Sequence, residues 1–449
     1  MDVPLSTITI LNSKIKQDKK YKIIQSSLRK SSIKNVSTNQ NSLNKLPFKF
    51  NHSLPESVSA TNQYSSGRCW IFAGLNVLRH KLIQTHSLSS DFELSEAYMY
   101  KCDILEKCNC TLEVIYAFAQ KHQTNQSIEY VSYVPNSIGD GGTVQSFVNL
   151  VNKYGVMPKD VFPDLRQVKN TSLMSKLINT TVAKSSEMIN DKMSRNSFEE
   201  YKKTILEECH RILTICIGNT PENFVWSIKD SVAGKNYTPT SFYKKVIKPI
   251  ININDYICIS NDPRNKYNHL MNVEYLHNVL NHDDKDLKKK ITNLYLNVEM
   301  TDFKKAVFET LTKYKTATWF ATDFGTFVLN DSSILDQKSS ILKDLFDVEF
   351  DYSKELSLKC RITVPNHAMC VIGCQKEGDD FLRWKIENSH GTHNNLDGFL
   401  TMSDAFFDKF MICAFVHKKS LSSKLRKIYK EKKDIISLPF WDVLGTYAH

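Results

Sequence analysis

Residues Asn62–Leu78 read NQYSSGRCWIFAGLNVL: a glutamine, a polar turn closed by Gly67, and a cysteine, Cys69, that opens an apolar run. Cysteine is most often a small core residue, and this chain has eleven. The surroundings of Cys69 argue for more. Ile71, Leu75, Leu78 and Leu82 recur at helical spacing after Trp70, so the thiol falls at the start of a helix. A free thiol of pKa about 8.5 is mostly protonated at neutral pH. The positive end of a helix dipole favours its thiolate, and Arg68 next door is placed to add to that field.

A thiolate nucleophile needs donors for a developing oxyanion and a base to manage the proton. Gln63 precedes Cys69 across the turn, and its side-chain amide can fold back to form a two-donor hole with the Cys69 backbone N–H. Among the thirteen histidines, His367 opens the apolar run HAMCVIG just after Pro365 and Asn366, which would fix its ring at a strand end. Asn388 closes the next such run, WKIEN, and is placed to orient that ring by a hydrogen bond. Taken singly, a core histidine and a turn asparagine explain His367 and Asn388 well enough. Together with Cys69 and Gln63 they compose nucleophile, base, orienter and oxyanion donor.

The whole chain bounds this reading. Its 449 residues, 41% hydrophobic, can bury a large core in two or three packed regions. No apolar run approaches the roughly 18 residues that span a bilayer, and the start lacks the pattern of a secretory leader, so a cytoplasmic location without membrane contact is expected. Scattered cysteines in odd number fit free thiols. Cys102, Cys108 and Cys110 lack zinc-ligand spacing, and neither a metal nor a cofactor is expected. The net charge of +11 is concentrated in residues 1–50, where ten Lys and Arg face only Asp2 and Asp18. Such an arm is first of all a solvated extension; contact with DNA or RNA is the alternative.

Five regions follow from the pattern: a basic arm (1–55), a helical lobe with the nucleophile (56–164), a mainly helical insertion (165–320), an antiparallel β lobe with His367 and Asn388 (321–425), and a C-terminal arm (426–449). In the insertion, Ser197 and Glu200 read as a capping box for a helix that stops at Gly218. After residue 315 short apolar runs alternate with Gly, Asp and Asn turns, as antiparallel strands do. The expected class is α+β, with a cleft between the helical and stranded halves.

The sets Gln63 with Gly67-Arg68-Cys69-Trp70, Asn366-His367-Ala368-Met369 and Glu387-Asn388-Ser389 resemble the papain superfamily. The form SSGRCWIF is similar to its bleomycin hydrolase and aminopeptidase C branch, as are GDGGTVQSFVNLVNKYGVMPKDVFP, ISNDPRNKYN and LPFWDVLG. Papain-like enzymes place the histidine about 130–150 residues after the cysteine; here the gap is about twice that, as in the longer branch. The resemblance implies a two-lobed papain-like fold and a cysteine aminopeptidase acting on peptides with a free N-terminus. It also implies a homohexamer, and Gly141 and Gly142 holding the substrate backbone. The alternative is a nucleic-acid-binding assembly with vestigial catalysis, and the two differ in that phosphate contacts weaken steeply with salt.

Two features stand apart from that pattern. Where the family has a tryptophan that shields the Asn–His bond, this chain has His390, so a less well shielded bond is expected. The family's terminal carboxylate, lying in the cleft, aligns with Ala448 and leaves His449 as an extra residue. Intact mass is therefore expected to show an Ala448 end in active protein and a His449 end in Cys69→Ala; equal masses for the two would refute self-trimming.

Overall fold

The computed structural model describes residues 2–16, 18–43, 46–55, 59–121, 130, 134, 138–228, 233–273, 293–325, 333–392, 396–439 and 441–445. Two short helices, α1 (Leu5–Lys16) and α2 (Lys19–Leu28), form the basic arm and bury none of their residues. Then comes α3 (Cys69–His86), in which Cys69 to His80 are buried without interruption. A helix buried on all sides belongs at the centre of a protein, and α3 is central here. On one side it meets α4 (Glu96–Gln120) and α5 (Val144–Tyr154). Gly74 allows the approach of α5: a Cβ there would sit 2.7 Å from the Phe147 ring.

The other side of α3 lies on a large sheet. In chain order its main strands are β1 (Tyr256–Ser260), β2 (His269–Val273), β3 (Asn293–Asn297), β4 (Thr318–Thr322), β5 (His367–Glu377), β6 (Asp380–Glu387), β7 (Phe399–Ser403), β8 (Met411–His417) and β9 (Ile436–Leu438). Their spatial order is β9-β2-β3-β1-β8-β4-β5-β6-β7. The pairs β8–β4, β4–β5, β5–β6 and β6–β7 are antiparallel, while β1–β3 and β2–β9 run parallel. The first eight residues of β5 are buried, which is why HAMCVIGC is almost wholly apolar rather than alternating. Helix and strand are locked in register: Cys370 Sγ donates to Ala73 O at 3.2 Å, and Trp319 Nε1 of β4 donates to Trp70 O at 3.2 Å.

Two expectations for the middle of the chain need correction. The main strands of the sheet begin at Tyr256, not after residue 315, and a two-residue strand at His52–Ser53 pairs with β5; YICIS and LMNV are short, fully buried strands, which periodicity alone does not separate from buried helix. The helix α6 (Arg195–Ile217) is capped by Ser194, whose side chain accepts from Ser197 N, so the cap sits three residues before the Ser197–Glu200 pair. Its expected end at Gly218 is observed, with φ of 113°. Among the described residues no helix is long and apolar enough to cross a membrane.

Residues 442–444 are fastened to the body. Arg264, in the loop after β1, bonds Asp262 and reaches Asp442 with Nη1 at 3.1 Å and Nη2 at 2.9 Å. Val443 and Leu444 beyond it are buried. Ala448 and His449 lie outside the described residues.

Candidate active site

Cys69 is the first residue of α3 and is 4% exposed. It lines a narrow cleft together with Trp70, Gly141, Gly142, Asn366, His367 and Ala368, with Trp319 and Ala321 of β4 on the wall. The backbone N–H groups of Ala368, Trp70 and Cys69 itself face the sulfur and favour its thiolate, whereas burial pushes the thiol up to about 11. Burial pushes His367 down, to about 3. The main cause is the same for both, since burial penalises the charged form of either group; at His367 the nearby His390 ring acts in the same direction.

The orientation of the ring follows from donors that cannot reverse. Ser389 N donates to Asn388 Oδ1 at 2.8 Å, which fixes the oxygen of that amide. His367 Nε2 lies 2.8 Å from the same oxygen and therefore carries the proton there. In the neutral ring Nδ1 is left with its lone pair, the tautomer a general base requires.

Gln63 is tied to this group through Ser389. Gln63 N donates to Ser389 O at 2.8 Å, and Ser389 Oγ donates to Gln63 Oε1 at 2.6 Å. Gln63 Nε2 donates to Ser66 O at 2.6 Å, which orients the amide and leaves its second hydrogen for another acceptor. Arg68 does not add field at the thiol as its position suggested. Its guanidinium, fully buried, forks onto Asp164 at 3.2 and 3.3 Å and bonds Ser66 Oγ through Nε. The bridging role of Ser389 depends on pairing between residues more than 300 apart, which no local pattern signals.

The opposite wall is the turn IGDGG. Gly142 packs flat on Trp70, where a Cβ would come within 2.5 Å of the indole. Buried Lys107 donates to Gly139 O and Gly141 O at 2.7 and 2.6 Å, with Asp103 at 2.6 Å balancing its charge. Asp140 ties this turn to the nucleophile loop, accepting from Gly67 N at 2.9 Å and Tyr100 Oη at 2.7 Å, and from Thr171 Oγ1 and Ser175 Oγ.

His390 packs on His367 with ring centroids 4.9 Å apart, and Phe324, just after β4, lies 4.8 Å from His367 and 5.7 Å from His390. Asn366 holds that loop: its Oδ1 accepts from Phe324 N at 2.6 Å, and its Nδ2 donates to Asp323 Oδ1 at 2.9 Å. Two rings, His390 and Phe324, thus pack against His367.

This arrangement, a cysteine at a helix start facing a histidine and asparagine at strand ends, defines a papain-like thiol peptidase site. The Peptidase C1-like family model matches residues 2–445, basic arm included, and the chain belongs to that family. It is 31% identical over 416 residues to bleomycin hydrolase of Rattus norvegicus, covering 89% of this chain and 88% of that one. Aminopeptidase C of Lactobacillus delbrueckii subsp. lactis is 31% identical over 401 residues, 87% of this chain and 86% of its own. The crystal structure of PepW from Lactobacillus rhamnosis HN001 superposes with a TM-score of 0.90 at 28% identity, over 99% of both chains.

Asp140→Ala removes acceptors from buried Tyr100 and Thr171 and from the Gly67 amide. Each orphaned buried donor costs about 1–3 kcal/mol, so the thermal midpoint is expected to fall by several degrees. Adding Tyr100→Phe should recover part of that loss. An unchanged midpoint in the single variant would disprove the role of Asp140 as a tie.

Proposed function

We propose that the protein is a cysteine aminopeptidase that hydrolyses N-terminal peptide and aminoacyl amide bonds through a thioester on Cys69. The observation that carries this is the bonded chain Gln63–Ser389–Asn388–His367, which ends in the cleft that Cys69 lines. In the proposed reaction the Cys69 proton passes to His367 Nδ1 and the thiolate attacks the substrate carbonyl carbon. The oxyanion meets the Cys69 N–H and the free hydrogen of Gln63 Nε2. His367 then protonates the leaving amine and later activates the water that cleaves the thioester. Asn388 keeps the imidazole in place throughout, and the substrate backbone lies along Gly141 and Gly142.

Restriction to free N-termini would come from the chain's own end. A carboxylate at Ala448, parked beyond the first subsite, pairs with a substrate α-ammonium and blocks longer extensions. The fastening of Asp442 by Arg264, with Val443 and Leu444 buried, supports a fixed approach for that end. A peptidase is favoured over a nucleic-acid-binding assembly because the site is completely furnished for acyl transfer. DNA or RNA contact through the basic arm would be an addition to it.

A free-amine aminoacyl fluorogenic amide and its N-acetylated twin, offered to wild type and Cys69→Ala, test the reading. Cleavage of the free amine alone, abolished in Cys69→Ala, is the expected result. Cleavage of both substrates would refute the terminal gate, and cleavage of neither by folded, reduced protein would refute the peptidase.

The proposed setting is the cytoplasm, and the proposed assembly is a homohexamer. Self-association is supported by Ile8, Leu11 and Ile15, which share one face of α1 and are 42, 51 and 45% exposed in the single chain. Sedimentation velocity should show a hexamer for wild type and a smaller species for Leu11→Glu with Ile15→Glu. A wild-type monomer would overturn the assembly.

A further inference from the structure

The Asn388 side chain has a second partner that nothing in the reaction as described uses. Its Nδ2 lies 3.1 Å from His390 Nδ1. With Asn388 Oδ1 fixed by the Ser389 backbone N–H, the atom facing His390 is the amide nitrogen, which only donates. His390 Nδ1 must therefore present a lone pair, and the single proton of its neutral ring sits on Nε2.

We propose that His390 is a positioning residue: as a neutral acceptor it holds the Asn388 amide in the orientation that serves His367, and on protonation it lets that amide go. A proton added at Nδ1 sets N–H against N–H and breaks the bond. Turning the amide over to satisfy the new donor would place its nitrogen against both Ser389 N–H and His367 Nε2–H, two contacts between donors. The orienter of the imidazole is thus left either loose or reversed. The same proton puts a positive charge on a ring whose centroid is 4.9 Å from that of His367, which disfavours the imidazolium that the thiolate requires. Both consequences act in one direction.

The surroundings make His390 the member of this group that senses solvent. Its side chain is exposed, whereas Asn388 and His367 are 4% and 8% exposed. The titratable groups facing the cluster are His367 on β5, Cys69 at the start of α3, and Asp323 after β4, which is engaged by Asn366 Nδ2 and Val364 N. Among the described residues no carboxylate bonds the His390 ring. The protein packed around it lowers its proton affinity below that of an ordinary imidazole. The neutral, holding form therefore prevails at neutral pH and is lost as pH falls through that lowered value.

This inference rests on the reading of Cys69 and His367 as the reacting pair, so its test uses a signal independent of peptide hydrolysis. The rate of Cys69 alkylation by iodoacetamide is followed against pH in full-length protein by peptide mass spectrometry, with exposed Cys360 as internal reference. In wild type the Cys69 rate should fall in acid with a two-proton dependence. His390→Gln supplies an amide oxygen as an acceptor that does not titrate, so its rate should persist to lower pH with a one-proton dependence. His390→Phe supplies no acceptor, and its Cys69 rate should be about fivefold lower across the range, the worth of one hydrogen bond. Superimposable acid limbs for wild type and His390→Gln, or wild-type rates in His390→Phe, would overturn the role of His390. Cys69 reacting no faster than Cys360 in wild type would instead remove the activated pair itself, and this inference with it.

Discussion

Everything at the site depends on the docking of α3 against β5. Neither element makes a reactive centre alone. The helix brings a thiol to its positive end, and the strand brings an imidazole to its first residue. Only their packing, fixed by Cys370 on Ala73 O and Trp319 on Trp70 O, sets one beside the other. Because α3 is buried on every side, its position is over-determined by α4, α5 and the sheet together. Deeper along the same interface, His80 of α3 meets Glu387 at 2.8 Å, so that the residue before Asn388 is held by the helix that begins at Cys69. The geometry of the chemistry is thus a by-product of core packing, where misplacement is costly.

A second layer of constraint is made of hydrogen bonds whose direction cannot be reversed. Backbone N–H groups and carbonyls have one polarity, and here they settle which way each amide faces: Ser389 N for Asn388, Ser66 O for Gln63. These decisions propagate to the tautomer of His367 and to the lone pair of His390. Shifted proton affinities at Cys69 and His367 then follow from burial.

Much of this was legible in the sequence, and the reasons are local. Cys69 stood at a glycine-to-helix boundary, and His367 and Asn388 stood at the ends of apolar runs, so their elements and positions could be read from neighbours a few residues away. What could not be read were partners distant in the chain. Arg68 turns to Asp164, Phe324 to His367, and Gln63 to Ser389, each across a fold whose register no window of sequence contains. The strands β1 to β3 escaped for a different reason: buried on both faces, they lose the alternation that marks a strand. His390 was legible as a substitution, but its contacts with Phe324 and Asn388 were not, since both depend on how the loops fold together.

The distance along the chain between the two halves of the site has a consequence for synthesis. Cys69 leaves the ribosome early and can enter α3 with its helical neighbours, yet β5 and β6 come some 300 residues later. Every truncated or unfinished chain ending before β5 holds Cys69 without His367, its proposed base. A protein that cuts other chains is in this way harmless to those around it while it is being made, and becomes reactive only when the last third of its length has folded against the first.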